Sequence, residues 1–241
     1  MSFPRINLHI HSSFSDGKHT IEQIIKKSLK LKLDYIAITD HFTDSWKSWV
    51  STLKDNIKIS EYLDKITHCQ NYLKNNNEKL SLLKGIEIDL SSSEGFIKKY
   101  IEPKKFNIIL FEYLENFEAV GFLRNIIQFW KRYLNPLNEF PILGLAHFDP
   151  SYFIHGNFDI LINFLKENNI YFEFNSSYSR YYSLQNKLFF EKLKESDIPV
   201  AIGCDTHNIN NLDNIDEPLE MIKYYNLENN LQILINRLKL L

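Results

Sequence analysis

The 241-residue chain has few of the features that would place it outside a cell or in a membrane. It has two cysteines. Cys69 and Cys204 stand far apart with no CxxC spacing, so no disulfide framework is expected. No apolar run approaches the ~20 residues that cross a bilayer, and no charged-apolar-small leader precedes the first predicted strand. A cytoplasmic protein without a membrane partner is the simplest expectation. Charge of one sign is also missing: 28 Lys and Arg against 30 Asp and Glu leave a net charge of -2. That balance argues against a long nucleic acid as partner, but not against a small anionic substrate, because bound metal would change the local field. With seven prolines, seven glycines and no linker-like stretch, residues 1–241 are expected to form one domain.

What the chain does have is a 44% hydrophobic composition with 18 Phe and 13 Tyr, ample for a large core. Seven segments read as strands: Ile6 to His11, Tyr35 to Asp40, Ser81 to Leu90, Asn107 to Leu114, Ile142 to Phe148, Tyr171 to Asn175 and Val200 to Asp205. Helical patterns lie between most of them. Thr20 with Gln23 makes a capping box, followed by Ile21, Ile24, Ile25 and Leu29 at helical spacing. Leu123, Ile126, Ile127, Trp130 and Leu134 form a second stripe. Ile160, Leu161, Phe164 and Leu165 form a third, and Leu231, Leu234, Ile235 and Leu238 a fourth. Strands alternating with helices predict a parallel sheet of βαβ units. The stretch from Phe42 to Ile57, with Trp46 and Trp49, reads equally as a lid or as rim packing.

Most of the predicted strands end in a histidine or a carboxylate, and in a parallel barrel those ends meet on one face. His9 and His11, two residues apart on a strand, share one side and make a clamp suited to a borderline ion such as zinc. Asp205 and His207 repeat that spacing. Glu87 sits among apolar residues, where a lone carboxylate is costly unless paired or metal-bound, and a carboxylate can bridge two cations. His147 ends an apolar strand. Asp40 and His41 are adjacent, so only one faces inward: His41 is assigned to metal and Asp40 to orienting a ligand imidazole. Asp16-Gly17 reads first as a tight turn, and Asp89 as a strand-end cap. Nitrogen and oxygen donors gathered in this way describe a polynuclear metal site suited to hydrolysis. Glu173 and Asn175 share a strand face and are expected to support the cluster. Arg180 reads equally as a phosphate clamp or a surface residue, and His155 as a pocket-lining residue. Cys204 reads as a small buried residue.

The set His9-x-His11, Ser12-Ser13-Phe14-Ser15-Asp16-Gly17, Ile38-Thr39-Asp40-His41, Gly85-Ile86-Glu87, the strand His147 and Gly203-Cys204-Asp205-Thr206-His207 resembles, in order, the motifs of the PHP superfamily (polymerase and histidinol phosphatase). The resemblance spans residues 5 to 208. It implies an α/β fold, a distorted (β/α)7 barrel with a three-metal cluster at the C-terminal strand ends. By the same resemblance His9, His11, Glu87 and Asp205 hold one metal. Glu87 bridges to a second held by His147, and Asp16, His41 and His207 hold the third. Two to three divalent transition metals (Zn, Mn or Fe) are the implied cofactors. The histidinol-phosphatase branch carries a histidine at the end of the fourth strand, where this chain has Glu112, either an oxygen ligand or a rim carboxylate.

The implied activity is hydrolysis of a small phosphate ester, a phosphomonoester first, by a hydroxide bridging two metals. Glu87 positions the ions, and Asp205 or a neighbouring histidine such as His207 passes a proton to the leaving group. The alternatives are a nucleotide or short-oligonucleotide phosphodiesterase or exonuclease, and a non-catalytic metal-stabilised binding module. The oligomeric state stays open.

Overall fold

A computed structural model describes residues 3–45, 50–134, 140–154, 156 and 158–241. Among these residues eight parallel strands run in chain order: β1 (Ile6–Ile10), β2 (Tyr35–Ile38), β3 (His41–Phe42), β4 (Ser81–Asp89), β5 (Ile108–Glu112), β6 (Ile142–Leu145), β7 (Ile170–Asn175) and β8 (Val200–Gly203). Between and after them lie α1 (Ile21–Lys30), α2 (Asn56–Asn75), α3 (Glu94–Tyr100), α4 (Phe117–Tyr133), α5 (Phe158–Asn168), α6 (Lys187–Glu195), α7 (Asp216–Tyr224) and α8 (Glu228–Leu238). The sheet order is β1-β2-β4-β5-β6-β7-β8, with β3 pairing on β4 beyond the end of β2. There are thus seven staves, one of them broken. The strand expected over Tyr35 to Asp40 stops at Ile38, because Thr39 and Asp40 turn their side chains toward the end of β1. It resumes at His41, opposite Glu87.

The barrel closes without a full ladder. Between β1 and the residues after β8 there is one isolated bridge, Ile10 to Thr206. The His11 amide donates to the Thr206 carbonyl (2.9 Å) and the Thr206 amide to the His9 carbonyl (3.1 Å). This is a distorted (β/α)7 barrel, closed by a short seam.

Local sequence explains most elements. The α1 capping box is present: Gln23 N–H donates to the Thr20 hydroxyl (3.4 Å), and Thr20 N–H to the Gln23 side chain (3.0 Å). Asn116 caps α4 by accepting from Ala119 N–H. The helix α2 ends at Asn75, and Asn77 takes the left-handed conformation (φ 55°) that asparagine tolerates. The third apolar stripe is narrower than its pattern: Leu161, Phe164 and Leu165 are buried, whereas Ile160 faces solvent. Among the described residues no helix is long and apolar enough to cross a membrane.

Alternation along the strands sorts the interior. On β4, Ile86 and Ile88 pack outward under the helices, which turns Glu87 inward. On β7, Phe172 and Phe174 pack on Phe190 of α6 at 5.3 and 5.4 Å between ring centroids, which leaves Tyr171, Glu173 and Asn175 on the barrel side. Trp46 and Trp49 lie outside the described residues, so the two readings of that loop are not tested.

Candidate metal centre

At the C-terminal strand ends the inward positions become polar. His9 comes from β1 and His11 from the residue just beyond it, Asp16 from the turn that follows, His41 from β3, Glu87 from β4, Glu112 from β5, His147 from beyond β6, and Asp205 and His207 from beyond β8. Glu87 is fully buried at the centre. Its Oε1 lies 3.3 Å from His9 Nε2 and 3.4 Å from His147 Nε2. Its Oε2 lies 3.4 Å from His11 Nε2 and 3.0 Å from His41 Nδ1. One carboxylate is therefore divided between two pairs of imidazoles, the arrangement a bridging ligand needs.

Among the described residues, three donor groups are tight enough to hold an ion: His9, His11 and Asp205; His11, Asp16, His41 and His207; and His41, Glu87 and Glu112. Glu112 Oε1 lies 3.3 Å from His41 Nδ1. His147 meets the cluster through Glu87 and lies in none of the three groups.

The donor chemistry fits divalent cations. The His9 Nδ1–H donates to Glu173 (2.9 Å), which fixes the tautomer and turns the Nε2 lone pair inward. That lone pair then faces His11 Nε2 at 3.0 Å, besides Glu87 and Asp205. His207 repeats the pattern: Nδ1–H donates to the Asp205 carbonyl (3.0 Å), and Nε2 faces Asp16 Oδ2 at 3.0 Å. Lone pairs aimed at carboxylates repel unless a proton or a cation lies between them. Both oxygens of Glu87, Oε1 of Glu112 and Nδ1 of His11 are buried and lack a hydrogen-bond partner, a state that costs about 1–3 kcal/mol per group or more for a charge. Mixed imidazole and carboxylate donors suit zinc, manganese or iron.

The electrostatics show the same strain. Burial lowers the His41 pKa, but Glu87 and Glu112 outweigh it and raise it to about 11. His9 is likewise raised well above its ordinary value against burial, by Glu173, Glu87 and Asp205. Burial and then Glu87 push Glu112 up to about 7. Burial would raise Asp16, but His207 and the neighbouring imidazoles hold it at about 2.

The supporting residues divide. Glu173 accepts from His9, from the His147 amide (2.7 Å) and from the Asn175 side chain (3.0 Å), so it orients two donors at once. Gly203 allows this, because a side chain there would run into Glu173 and His9. Asp40 does not orient an imidazole. It accepts from the amides and hydroxyls of Ser12 and Ser15, at 2.5 to 3.1 Å, and holds the turn that carries Asp16. The strand break after Ile38 accompanies this placement, with Asp40 directed at the turn after β1. Gly17 is required in that turn by close approach, since a Cβ would lie 2.3 Å from the His11 carbonyl oxygen. Asp89 caps its strand end by accepting from Thr43, Ser45 and Ser91. Burial pushes the Cys204 thiol up to about 12, which fits an inert residue.

A cavity of about 220 Å³ opens over the cluster, lined by Asp16, His41, Glu112, His147, Asp205 and His207 on its floor. Its walls carry Tyr113, Tyr152, Tyr178, Tyr181, Glu115 and Asp149. The sequence reading missed these wall residues; the only signal was the density of tyrosine around 178–182. Arg180 is exposed and outside that lining, its guanidinium over the Tyr181 ring at 4.9 Å. Of its two readings the surface one matches this placement. Among the described residues no Lys or Arg lines the cavity. His155 lies outside the described residues.

Comparison with known proteins agrees with this picture. The histidinol phosphate phosphatase of Lactococcus lactis subsp. lactis Il1403, solved with zinc, L-histidinol and phosphate, superposes with a TM-score of 0.61 at 16% identity, over 93% of this chain and 94% of that one. A chain solved in a study of two metal-dependent tyrosine phosphatases, YwqE of Bacillus subtilis and CpsB of Streptococcus pneumoniae, gives 0.54 at 16%, over 91% of this chain and 86% of that one. A curated relative from Thermotoga maritima, described as a probable histidinol-phosphatase, is 26% identical over 239 residues, covering 92% of this chain and 93% of its own. The PHP domain model matches residues 7–177, well over half of the chain, and the protein belongs to that family.

Proposed function

We propose that this PHP-family metal-dependent phosphoesterase is a phosphomonoesterase for a small organic phosphate. The divided carboxylate of Glu87, with an imidazole pair at each oxygen, carries the reading. His9, His11, Asp16, His41, Glu87, Glu112, His147, Asp205 and His207 would hold two or three divalent ions. Bound there, such ions supply Lewis acidity for water activation and offset phosphoryl charge. The chain's own contribution is placement: Glu173 fixes His9 and the His147 amide, and Asp40 fixes the turn of Asp16. His207, partly exposed at the mouth, or Asp205 would deliver the proton to the departing alkoxide.

The cavity wall suggests the leaving group. Four phenols and two carboxylates, with no fixed cation among the described residues, favour a ring-bearing neutral or cationic alcohol over one with a second anionic group. Relatives named for histidinol phosphate make that ester the first to try.

The test is elemental analysis of purified protein together with a panel of histidinol phosphate, aryl phosphate, sugar phosphates, nucleoside monophosphates and phosphodiesters. Two to three transition-metal equivalents and monoester cleavage are expected. Fewer than one equivalent under metal-replete conditions overturns the reading, and preferred cleavage of diesters replaces it with a nuclease-type activity. Chelation that collapses the fold, in a protein that never cleaves an ester, would make it a metal-stabilised binding module.

A further inference from the structure

The group His9, His11 and Asp205 is assembled across the barrel seam, where β1 and β8 have no regular ladder. Asp205 sits there with φ 46°, in the left-handed region that non-glycine residues adopt only when their surroundings impose it. Its neighbours in sequence are both tied to one side chain on the opposite strand. Asn7 is fully buried. Its Oδ1 accepts from the amides of Cys204 (3.2 Å) and His9 (3.2 Å). Its Nδ2 donates to the Thr206 hydroxyl (3.2 Å) and the Leu212 carbonyl (3.0 Å). The hydroxyl of Thr206 passes the tie on to the Asn211 carbonyl (3.5 Å).

We propose that Asn7 is a positioning residue for the metal centre. Its amide replaces the missing ladder and holds Asp205 in register with His9 and His11. The inference rests on the metal reading of the cluster.

Two features separate this role from mere fastening. The bonds of Asn7 flank Asp205 on both sides in sequence, and a third reaches the amide of His9 itself. Asp205 Oδ1 in turn lies 3.0 Å from His11 Nε2 and 3.6 Å from His9 Nε2, so a small drift of the loop opens this donor group. By contrast Asn230, also buried, donates to the carbonyls of Leu193 (3.2 Å) and Ile198 (2.8 Å) between α6 and β8, and serves as an internal control.

The experiment compares wild type, Asn7→Ala, Thr206→Val and Asn230→Ala. Zinc affinity is measured by competition with a chromophoric chelator, and the melting temperature on chelated protein. Both Asn7→Ala and Thr206→Val are expected to weaken the tightest zinc by about tenfold or more, as residues behind metal ligands do. Asn230→Ala is expected to lower the melting temperature at unchanged zinc affinity. Should Asn7→Ala not fold, Thr206→Val decides, because it removes one hydroxyl at nearly constant volume. If Asn7→Ala or, failing that, Thr206→Val lowers the melting temperature while zinc affinity stays within twofold of wild type, the amide is only a seam fastener and the proposal is overturned. A wild type that binds no zinc, manganese or iron would instead overturn the metal reading beneath it.

Discussion

Along the body of the strands, buried positions are mostly apolar, with Asn7 the exception at the seam, and pairing is regular from β4 through β8. A few residues further on, at the same strands' C-terminal ends, imidazoles and carboxylates are buried together, and both oxygens of Glu87 and Oε1 of Glu112 lack a hydrogen-bond partner. The backbone there enters the left-handed region at Tyr113 (φ 62°), His147 (φ 32°) and Asp205 (φ 46°). In the barrel body the buried atoms without a hydrogen-bond partner are isolated neutral groups such as the Tyr171 hydroxyl and Trp130 Nε1, whereas the rim crowds unpaired carboxylate oxygens together where ions would restore balance. The body stabilises an arrangement that the rim alone would not keep.

That contrast is open to direct attack. The largest effect is expected from Glu87→Gln, which keeps the shape but removes the bridging charge. Hydrolysis should fall on the order of 10³-fold, as loss of several kcal/mol of charge stabilisation implies, with metal content reduced in the same preparation. Unchanged turnover would detach the rim from catalysis. In the body, Ile86→Ala, one residue away but facing the helices, should cost about 2–5 kcal/mol of stability in chemical denaturation. Turnover per folded molecule should hold, and a large loss would mean that body and rim are not separable. Between the two regions, Glu173→Gln should weaken metal binding or activity by about 10- to 100-fold, with little change in the melting temperature of chelated protein.

The pH dependence sharpens the picture. In the metal-free cluster His41 keeps its proton up to about 11, and His9 is raised as well. Metal must displace those protons, so affinity should rise with pH across the neutral range. Calorimetric enthalpies should also depend on the buffer's own ionisation. The sign for folding runs the other way: a raised His41 favours the metal-free fold fully below its unfolded value near 6.5, and that contribution is lost as pH approaches 11. The smallest effect is expected from Arg180→Gln, with kcat and KM within about threefold of wild type, as for an exposed side chain away from a site. A large rise in KM would return Arg180 to the phosphate.

Much of this was legible in the sequence, for physical reasons that also mark where legibility ends. Strand periodicity put His9 with His11, and the cost of burying Glu87 singled it out. Both depend only on local pattern and elementary energetics. The role of Asp40 was misread because its direction depends on a break after Ile38 that alternation does not reveal. The neighbour of Glu112 was not legible, because it lies across the sheet on β3, where the register of a two-residue strand decides the contact. Tyr113, Tyr152, Tyr178 and Tyr181 carry no spacing signal, since they reach the cavity from three separate loops.

The seam also has a consequence for how the protein comes into being. Asn7 and Thr206 stand 199 positions apart, so a chain leaving the ribosome exposes its first two histidines long before their acidic counterpart exists. Any ion captured early would be held by an incomplete set of donors, and secure loading must wait until the closing strand docks.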